Sequence, residues 1–124
     1  MTKKILIADD ESNLREIFER FFSNKFNNYE TLTAEDGDIA LNTARQNFSD
    51  LALILMDTDM PKLKGYDVCK ILRNEDYKGI IIGMTGRAGD EYKKKWKDAG
   101  ATDYLEKPIF LSALLEVGKK YLKD

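Results

Sequence analysis

Residues 51–61 read Leu51-Ala-Leu-Ile-Leu-Met-Asp-Thr-Asp-Met-Pro61, in which six apolar residues end abruptly in two carboxylates and a proline. An apolar run without alternation is typical of a central parallel strand that is covered on both faces. Pro61 cannot continue a ladder of backbone hydrogen bonds, so the strand should end before it. Ligands of open α/β sheets bind beyond the carboxyl ends of the strands. Asp57 is therefore the leading candidate for a reactive or metal-binding residue.

The bulk composition indicates one globular domain that spans residues 1–124. Hydrophobic residues make up 43% of the chain and charged residues 34%. No apolar run approaches the roughly 20 residues of a membrane span, so we expect a cytoplasmic protein without a membrane partner. The chain has no histidine, which excludes Ser-His-Asp relays and imidazole metal ligands. A net charge of -2 argues against nucleic acid as a direct partner.

Short apolar and β-branched segments predict five strands, each followed by a segment with helical spacing. The predicted strands are residues 4–8, 29–33, 51–56, 79–84 and 102–105. This alternation, with short connections, predicts an α/β fold with a parallel sheet, right-handed crossovers and helices on both faces.

Apolar stripes predict the inner faces of the helices. The first and last stripes consist of Leu14, Ile17, Phe18, Phe21 and Phe22, and of Leu111, Leu114, Leu115, Gly118 and Leu122. The fourth helix, predicted over 88–99, has the narrowest stripe, with Tyr92, Trp96 and Ala99. We therefore expect it to be held least firmly.

Polar side chains follow four of the predicted strands: Asp9 and Asp10, then Asp57, Thr85 and Lys107. The carboxyl ends of parallel strands share one edge, so three carboxylates would crowd there and require a cation to offset their repulsion. Magnesium prefers such oxygen ligands and keeps waters for a phosphoryl oxygen. A lysine and a hydroxyl suit a transferring phosphoryl group, and a carboxylate can be its acceptor. The pattern favours phosphate chemistry on Asp57.

Each of these residues also has a purely structural interpretation. Asp9, Asp10 and Glu11 could cap the first helix, Lys107 could be a solvated surface residue, and Thr85 could belong to a turn. Their joint position at the ends of four strands favours the functional interpretation.

The chain resembles, over almost its whole length, the receiver domain of two-component response regulators, the family of the bacterial chemotaxis switch protein. The motifs are Ile5-Leu-Ile-Ala-Asp-Asp10, Leu55-Met-Asp-Thr-Asp-Met-Pro61 with Gly65, Met84-Thr85, and Gly100-Ala-Thr-Asp-Tyr-Leu-Glu-Lys-Pro108. The resemblance implies a single (βα)5 flavodoxin-like, CheY-like domain with a five-stranded parallel sheet in the order 2-1-3-4-5.

The resemblance also implies a role for each site residue. Asp57 would accept a phosphoryl group from a histidine kinase or a histidine phosphotransfer protein, which makes the chain a signalling switch and not an enzyme. Asp10, Asp57 and the main-chain carbonyl of Asp59 would bind Mg²⁺, and Asp9 would act through water. Lys107 would contact the phosphoryl group.

The same resemblance implies that switching is a shift between two conformational populations. Thr85 would move toward the phosphate, Tyr104 would turn inward, and the peptide before Pro108 would be cis. The face of the fourth helix, fifth strand and fifth helix would then present a changed surface to a downstream protein. The chain would be a monomer or a weak phosphorylation-dependent dimer.

Three positions depart from the family pattern or vary within it. Gly86 stands where the family usually has alanine, and the smaller residue is expected to loosen the loop after Thr85. Asp59 and Arg87 occupy variable positions that influence the lifetime of the phosphoryl group. Their opposite charges suggest an ion pair that restricts attacking water.

Two alternatives belong to other functional classes. Asp57-Thr-Asp59 is also similar to the Asp-x-Asp motif of haloacid-dehalogenase-type phosphatases, which are Mg²⁺-dependent hydrolases. In that family the nucleophile lies on the first strand and the acidic pair comes last, whereas here Asp9 and Asp10 come first. A flavodoxin-like cofactor carrier shares the fold class, but no Gly/Ser/Thr-rich phosphate loop follows the first predicted strand.

Overall fold

The structure of the chain is a computed structural model that describes residues 2–86 and 89–123. Strands and helices alternate as predicted. They are β1 (Lys3–Ala8), α1 (Ser12–Lys25), β2 (Tyr29–Ala34), α2 (Gly37–Gln46), β3 (Leu51–Asp57), α3 (Gly65–Asn74), β4 (Ile80–Thr85), α4 (Asp90–Ala99), β5 (Asp103–Glu106) and α5 (Leu111–Tyr121). No helix among these residues is long and apolar enough to cross a bilayer.

The five strands form one parallel sheet in the order β2-β1-β3-β4-β5, which confirms the predicted fold class. The central strand β3 pairs with β1 on one side and with β4 on the other. Ala8 lies opposite Met56, and Asp57 lies opposite Met84. The residues that follow β1 and end β3 therefore meet at one edge, where the strand order reverses and open α/β sheets bind their ligands.

Successive residues of β3 point to opposite faces of the sheet and contribute to two apolar layers. Ile54 and Met56 pack with residues of α2, α3 and α4, whereas Leu53 and Leu55 pack with residues of α1 and α5. All four side chains are fully buried. Burial of each side chain contributes about 1.5–3 kcal/mol to the free energy of folding. The central strand, which carries Asp57 at its carboxyl end, is therefore held firmly in the core.

Two residues of the predicted inner stripes are exposed instead. Ile17 is 48% exposed and Leu111 is 47% exposed, whereas Phe18 and Leu114 are buried as predicted. Ile17 and Leu111 line the same surface groove between α1 and α5. The stripes are wider than the strip of each helix that faces the sheet, so their outer members remain at the surface.

Helix α4 begins at Asp90, and residue 88 of the predicted range lies outside the described part of the chain. Its C-cap is Gly100, with a left-handed φ of 95°. The helix inserts Trp96 into the core, where the side chain is 1% exposed. A Cβ built on Gly83 would lie 2.3 Å from Cδ2 of Trp96, so the indole ring packs directly on the backbone of β4. The expectation that α4 is held least firmly stays a prediction.

Candidate functional site

Three carboxylates meet at the edge of the sheet where β1 and β3 end. Oxygen atoms of Asp9, Asp10 and Asp57 all lie within 4.8 Å of one another. Asp9 is fully buried and Asp57 is 4% exposed, whereas Asp10 is exposed. The cluster thus combines two buried carboxylates with one that is exposed to solvent.

Lys107 closes the site from the end of β5. Its Nζ lies 3.1 Å from Oδ1 of Asp57 and 3.2 Å from Oδ2 of Asp9. The backbone N–H of Lys107 donates to the carbonyl of Thr85 at 2.7 Å, and the peptide bond to Pro108 is cis, as the resemblance implied. Lys107 is therefore a contact of the carboxylates, and its interpretation as a solvated surface residue is wrong.

The electrostatics of the site follow from burial and crowding. The pKa of the Asp57 carboxyl is raised to about 7, mainly by burial and also by the charge of Asp9, while Lys107 opposes the shift. For Lys107, burial lowers the pKa, but the charges of Asp57 and Asp9 outweigh it and the net pKa is raised. Burial and the neighbouring carboxylates both disfavour the ionised form of Asp57, and a divalent cation bound there would favour it.

Asp9 also has a structural role at the start of α1. Its Oδ1 accepts a hydrogen bond from the backbone N–H of Glu11 at 2.9 Å, and its carbonyl accepts one from Arg15 at 2.8 Å. Glu11 occupies the N-cap position but makes no side-chain cap hydrogen bond. Asp9 thus orders the turn that leads into α1 without capping the helix itself, and its second oxygen faces Lys107.

The two predicted switch residues lie on neighbouring strands. Thr85 is 2% exposed at the end of β4, and Tyr104 is half-buried on β5, opposite Gly83. Nζ of Lys93 lies 5.6 Å from the centroid of the Tyr104 ring, so α4 contacts this side chain directly. Any displacement of Tyr104 would change a contact of α4.

Asp59 and Gly86 follow β3 and β4 at the rim of the site. Arg87 lies outside the described residues, so its ion pair with Asp59 stays a prediction. The carboxylate of Asp59 lies 3.0 Å from Nζ of Lys64. A Cβ built on Gly86 would meet Cδ of Lys107 at 3.9 Å, which is ordinary van der Waals contact, so the position has room for alanine.

Sequence reasoning missed the residue directly after Asp57. The hydroxyl of Thr58 is buried, donates to the carbonyl of Met84 at 2.6 Å and accepts from Nε1 of Trp96 at 2.9 Å. Thr58 and Trp96 are 38 positions apart, and neither a helical nor a strand period relates them. Only the packing of α4 on the sheet brings them together.

Comparison with known proteins gives concordant results. The model of the response regulator receiver domain family matches residues 5–118. Response regulator MprA of Mycobacterium sp. (strain KMS) is 37% identical over 115 residues, which cover 93% of this chain and 48% of that protein. The alkaline phosphatase synthesis transcriptional regulatory protein PhoP of Bacillus subtilis is 35% identical over 109 residues, covering 88% and 44%. The chain thus spans about half the length of the curated relatives it matches.

A likeness to solved structures agrees with this assignment. The chemotaxis protein CheY4 of Vibrio cholerae superposes with a TM-score of 0.85 at 28% identity, over 98% of this chain and all of that chain. These likenesses give no support to the phosphatase alternative. The chain belongs to the response regulator receiver domain family, whose members are phosphorylation-dependent switches of two-component signal transduction.

Proposed function

We propose that Asp57 is the phosphoacceptor of this receiver domain. The observation that carries the proposal is the buried Asp57 carboxylate, which lies 3.1 Å from Lys107 and within 4.8 Å of the carboxylates of Asp9 and Asp10. A carboxylate oxygen would attack the phosphorus of a phosphohistidine donor, and the P–N bond would break with its electron pair passing to the imidazole nitrogen. The product on this chain is an aspartyl phosphate.

The chain's own residues fit a Mg²⁺ ion at this site. Asp9, Asp10 and Asp57 provide an all-oxygen donor set, and the resemblance adds the main-chain carbonyl of Asp59, with Asp9 acting through water. When bound, the cation would neutralise negative charge between the carboxylates and the incoming phosphoryl group. The raised pKa of Asp57 supports this fit, because a nearby cation favours the ionised and nucleophilic carboxylate.

Lys107 and Thr85 would hold the transferred group. The ammonium of Lys107 already contacts Asp57, so it can bind a phosphoryl oxygen with little rearrangement. The Thr85 hydroxyl would donate a hydrogen bond from the end of β4. Its movement, together with that of Tyr104, would pass the signal to the face formed by α4, β5 and α5, where a downstream protein would bind.

The phosphoryl donor would be a histidine kinase or a histidine phosphotransfer protein. Large apolar side chains are exposed on α1 and around the start of α5: Ile17, Phe110 at 68% exposure, and Leu111. Ile17 and Leu111 line one groove, so part of this surface is contiguous. Such apolar surfaces mark sites of protein association, and this one lies next to the loop that carries Lys107.

The proposal also covers the unit as a whole. Residues 1–124 would form one receiver domain that catalyses only the uptake and loss of its own phosphoryl group. We place it in the cytoplasm, because its single cysteine, Cys69, is buried and free and needs no oxidising compartment.

Intact mass measurement after incubation with acetyl phosphate and Mg²⁺ tests the proposal. We expect the native chain to gain one phosphoryl group, and we expect neither the Asp57→Asn variant nor the native chain in chelator to gain it. Asp76→Asn, which alters an exposed carboxylate paired with Lys78, is the matched control and should behave as the native chain does. Adduct formation in Asp57→Asn would overturn the assignment. Steady release of phosphate without an adduct would instead favour rapid turnover or a phosphatase.

A further inference from the structure

Thr58 connects the candidate site to helix α4 through hydrogen bonds. Its hydroxyl donates to the carbonyl of Met84 at 2.6 Å and accepts from the indole Nε1 of Trp96 at 2.9 Å. Thr58 is 2% exposed and Trp96 is 1% exposed, so water does not readily replace either partner. A buried polar group that loses its partner carries a desolvation penalty, so the three groups should move together.

The two ends of this connection lie beside the residues proposed to change on phosphorylation. Thr58 directly follows the phosphoacceptor Asp57, and Met84 directly precedes the proposed switch residue Thr85. The backbone N–H of Thr58 also donates to the carbonyl of Met84, at 2.9 Å. A shift in either segment therefore alters the geometry at the Thr58 hydroxyl.

The packing of Trp96 transmits such a shift to the helix that carries it. Its ring lies against the backbone of Gly83, where a Cβ would meet Cδ2 at 2.3 Å. The ring of Tyr66 on α3 lies with its centroid 6.2 Å away. Because this environment is close-packed, the indole cannot reorient freely, and a change at its N–H displaces the helix backbone.

We propose that Thr58 and Trp96 form a hydrogen-bonded relay that couples the phosphorylation state of Asp57 to the position of α4. The proposal rests on Asp57 being the phosphoacceptor and adds a route by which its state reaches the output face. Thr58 is a positioning residue, because its hydroxyl acts through Met84 and Trp96 and does not touch the reacting atoms. The route differs from the movement of Tyr104 in that it runs through the Thr58 hydroxyl.

The fluorescence of Trp96 reports on the relay directly, because it is the only tryptophan in the chain. The experiment follows Trp emission and intact mass in parallel after acetyl phosphate and Mg²⁺ are added. Thr58→Val keeps the shape of the side chain and removes the hydroxyl, whereas Thr58→Ser keeps the hydroxyl. We expect all three proteins to form the adduct. The emission change should persist in Thr58→Ser and be largely lost in Thr58→Val.

Amide exchange of residues 90–99 provides a second measurement that does not depend on fluorescence. Trp96→Phe keeps an aromatic ring on Gly83 and removes the N–H donor. We expect phosphorylation to change exchange in α4 of the native chain, and this difference to be largely lost in both Trp96→Phe and Thr58→Val. A general loss of stability would accelerate exchange in both phosphorylation states and would leave their difference in place.

The possible outcomes distinguish a failure of the relay from a failure of the phosphoacceptor assignment. If Thr58→Val forms the adduct and retains the native emission and exchange changes, the relay is wrong. If Thr58→Val folds but forms no adduct while Thr58→Ser does, the hydroxyl serves the chemistry itself and the relay is again wrong. If the native chain forms no adduct, the phosphoacceptor assignment fails and the relay fails with it.

Discussion

At the scale of single residues, the site holds carboxylates close together and largely buried, which disfavours their ionised forms. Asp57 ends a strand whose other residues are apolar, and Asp9 is fully buried beside it. Lys107 offsets part of this charge but leaves the pKa of Asp57 raised to about 7. Groups in such an environment tend to bind a cation or to react, and their presence lowers the free energy of unfolding.

The pH dependence of the free energy of unfolding should reveal this destabilisation. In chelator, the pKa of the Asp57 carboxyl is raised in the folded chain from 3.8 to about 7, so between these values the folded state binds more protons than the unfolded state. This group therefore lowers the free energy of unfolding progressively as pH rises from about 4 to 7. Asp57→Asn should be more stable than the native chain, by on the order of 2 kcal/mol at pH 8 and by much less at pH 5.

Urea unfolding at both pH values measures this difference. Asp76→Asn, at an exposed position, should show almost the same stability as the native chain at either pH. A stability gain in Asp57→Asn that is equal at pH 5 and pH 8, or larger at pH 5, would contradict the raised pKa.

Two glycines around the end of β4 should respond oppositely to alanine. Among the described residues, a new methyl group at Gly86 would meet only Cδ of Lys107, at 3.9 Å, so Gly86→Ala should stabilise the chain by about 0.4–1 kcal/mol through the unfolded state. At Gly83 the methyl group would overlap the indole of Trp96, so Gly83→Ala should cost about 1–3 kcal/mol. Thermal unfolding of the pair checks both signs, and a destabilised Gly86→Ala would show that the loop itself requires glycine.

At the scale of elements, Arg73 joins the end of α3 to the end of α4. Its guanidinium donates to the carbonyls of Tyr77, Gly79 and Gly100 at 2.7–2.8 Å. The planar fork of arginine reaches several acceptors at once, and a lysine ammonium cannot reproduce this geometry. Arg73 thus fixes the C-terminal end of α4, while Trp96 anchors its middle.

Replacement of Arg73 by lysine should therefore destabilise the fold. We expect Arg73→Lys to lower the free energy of unfolding by about 1–3 kcal/mol, because carbonyls in the part-buried connection lose their donors. Arg20→Lys is the matched control, since Arg20 forms an exposed pair with Glu16 and should change stability by less than about 0.5 kcal/mol. Equal effects of the two substitutions in urea unfolding would refute the anchoring role.

The elements themselves were predictable because their signals are local. The unbroken apolar run of β3 and the apolar stripe of each helix identify an element within a short window of sequence. The helix faces were less predictable. Ile17 and Leu111 continue apolar stripes, yet they are about half exposed because the sheet is too narrow to cover the whole stripe. Exposure of an apolar residue on a helix depends on how much of that helix the sheet covers, and a local sequence pattern does not predict this.

At the scale of the whole molecule, the exposed apolar surface of Ile17, Phe110 and Leu111 should matter for a protein donor of the phosphoryl group and not for a small-molecule donor. Ile17→Ser and Phe110→Ser should slow phosphoryl transfer from a histidine phosphotransfer protein by at least tenfold, since each removes an exposed apolar contact from the proposed interface. Transfer from acetyl phosphate, which needs no docking surface, should stay within about twofold of the native rate, a change of roughly 0.4 kcal/mol.

Ile39 provides the control for this comparison. It is 37% exposed on α2, and Ile39→Ser should leave both reactions unchanged if α2 takes no part in docking. The proposed docking surface would be incorrect if Ile17→Ser slowed both donors equally, or if it slowed neither.

Sequence patterns alone predict the order of strands and helices, the family, and the placement of Asp9, Asp10, Asp57, Thr85 and Lys107 at strand ends. These features depend on local periodicity and on short motifs, and the chain direction of parallel strands brings their ends to one edge. Packing in the folded chain, in contrast, sets the contacts of the Lys107 ammonium, the raised pKa of Asp57 and the hydrogen bond from Trp96 to Thr58. These depend on distances and burial across residues far apart in the chain, because only close packing of helices on the sheet sets which side chains meet.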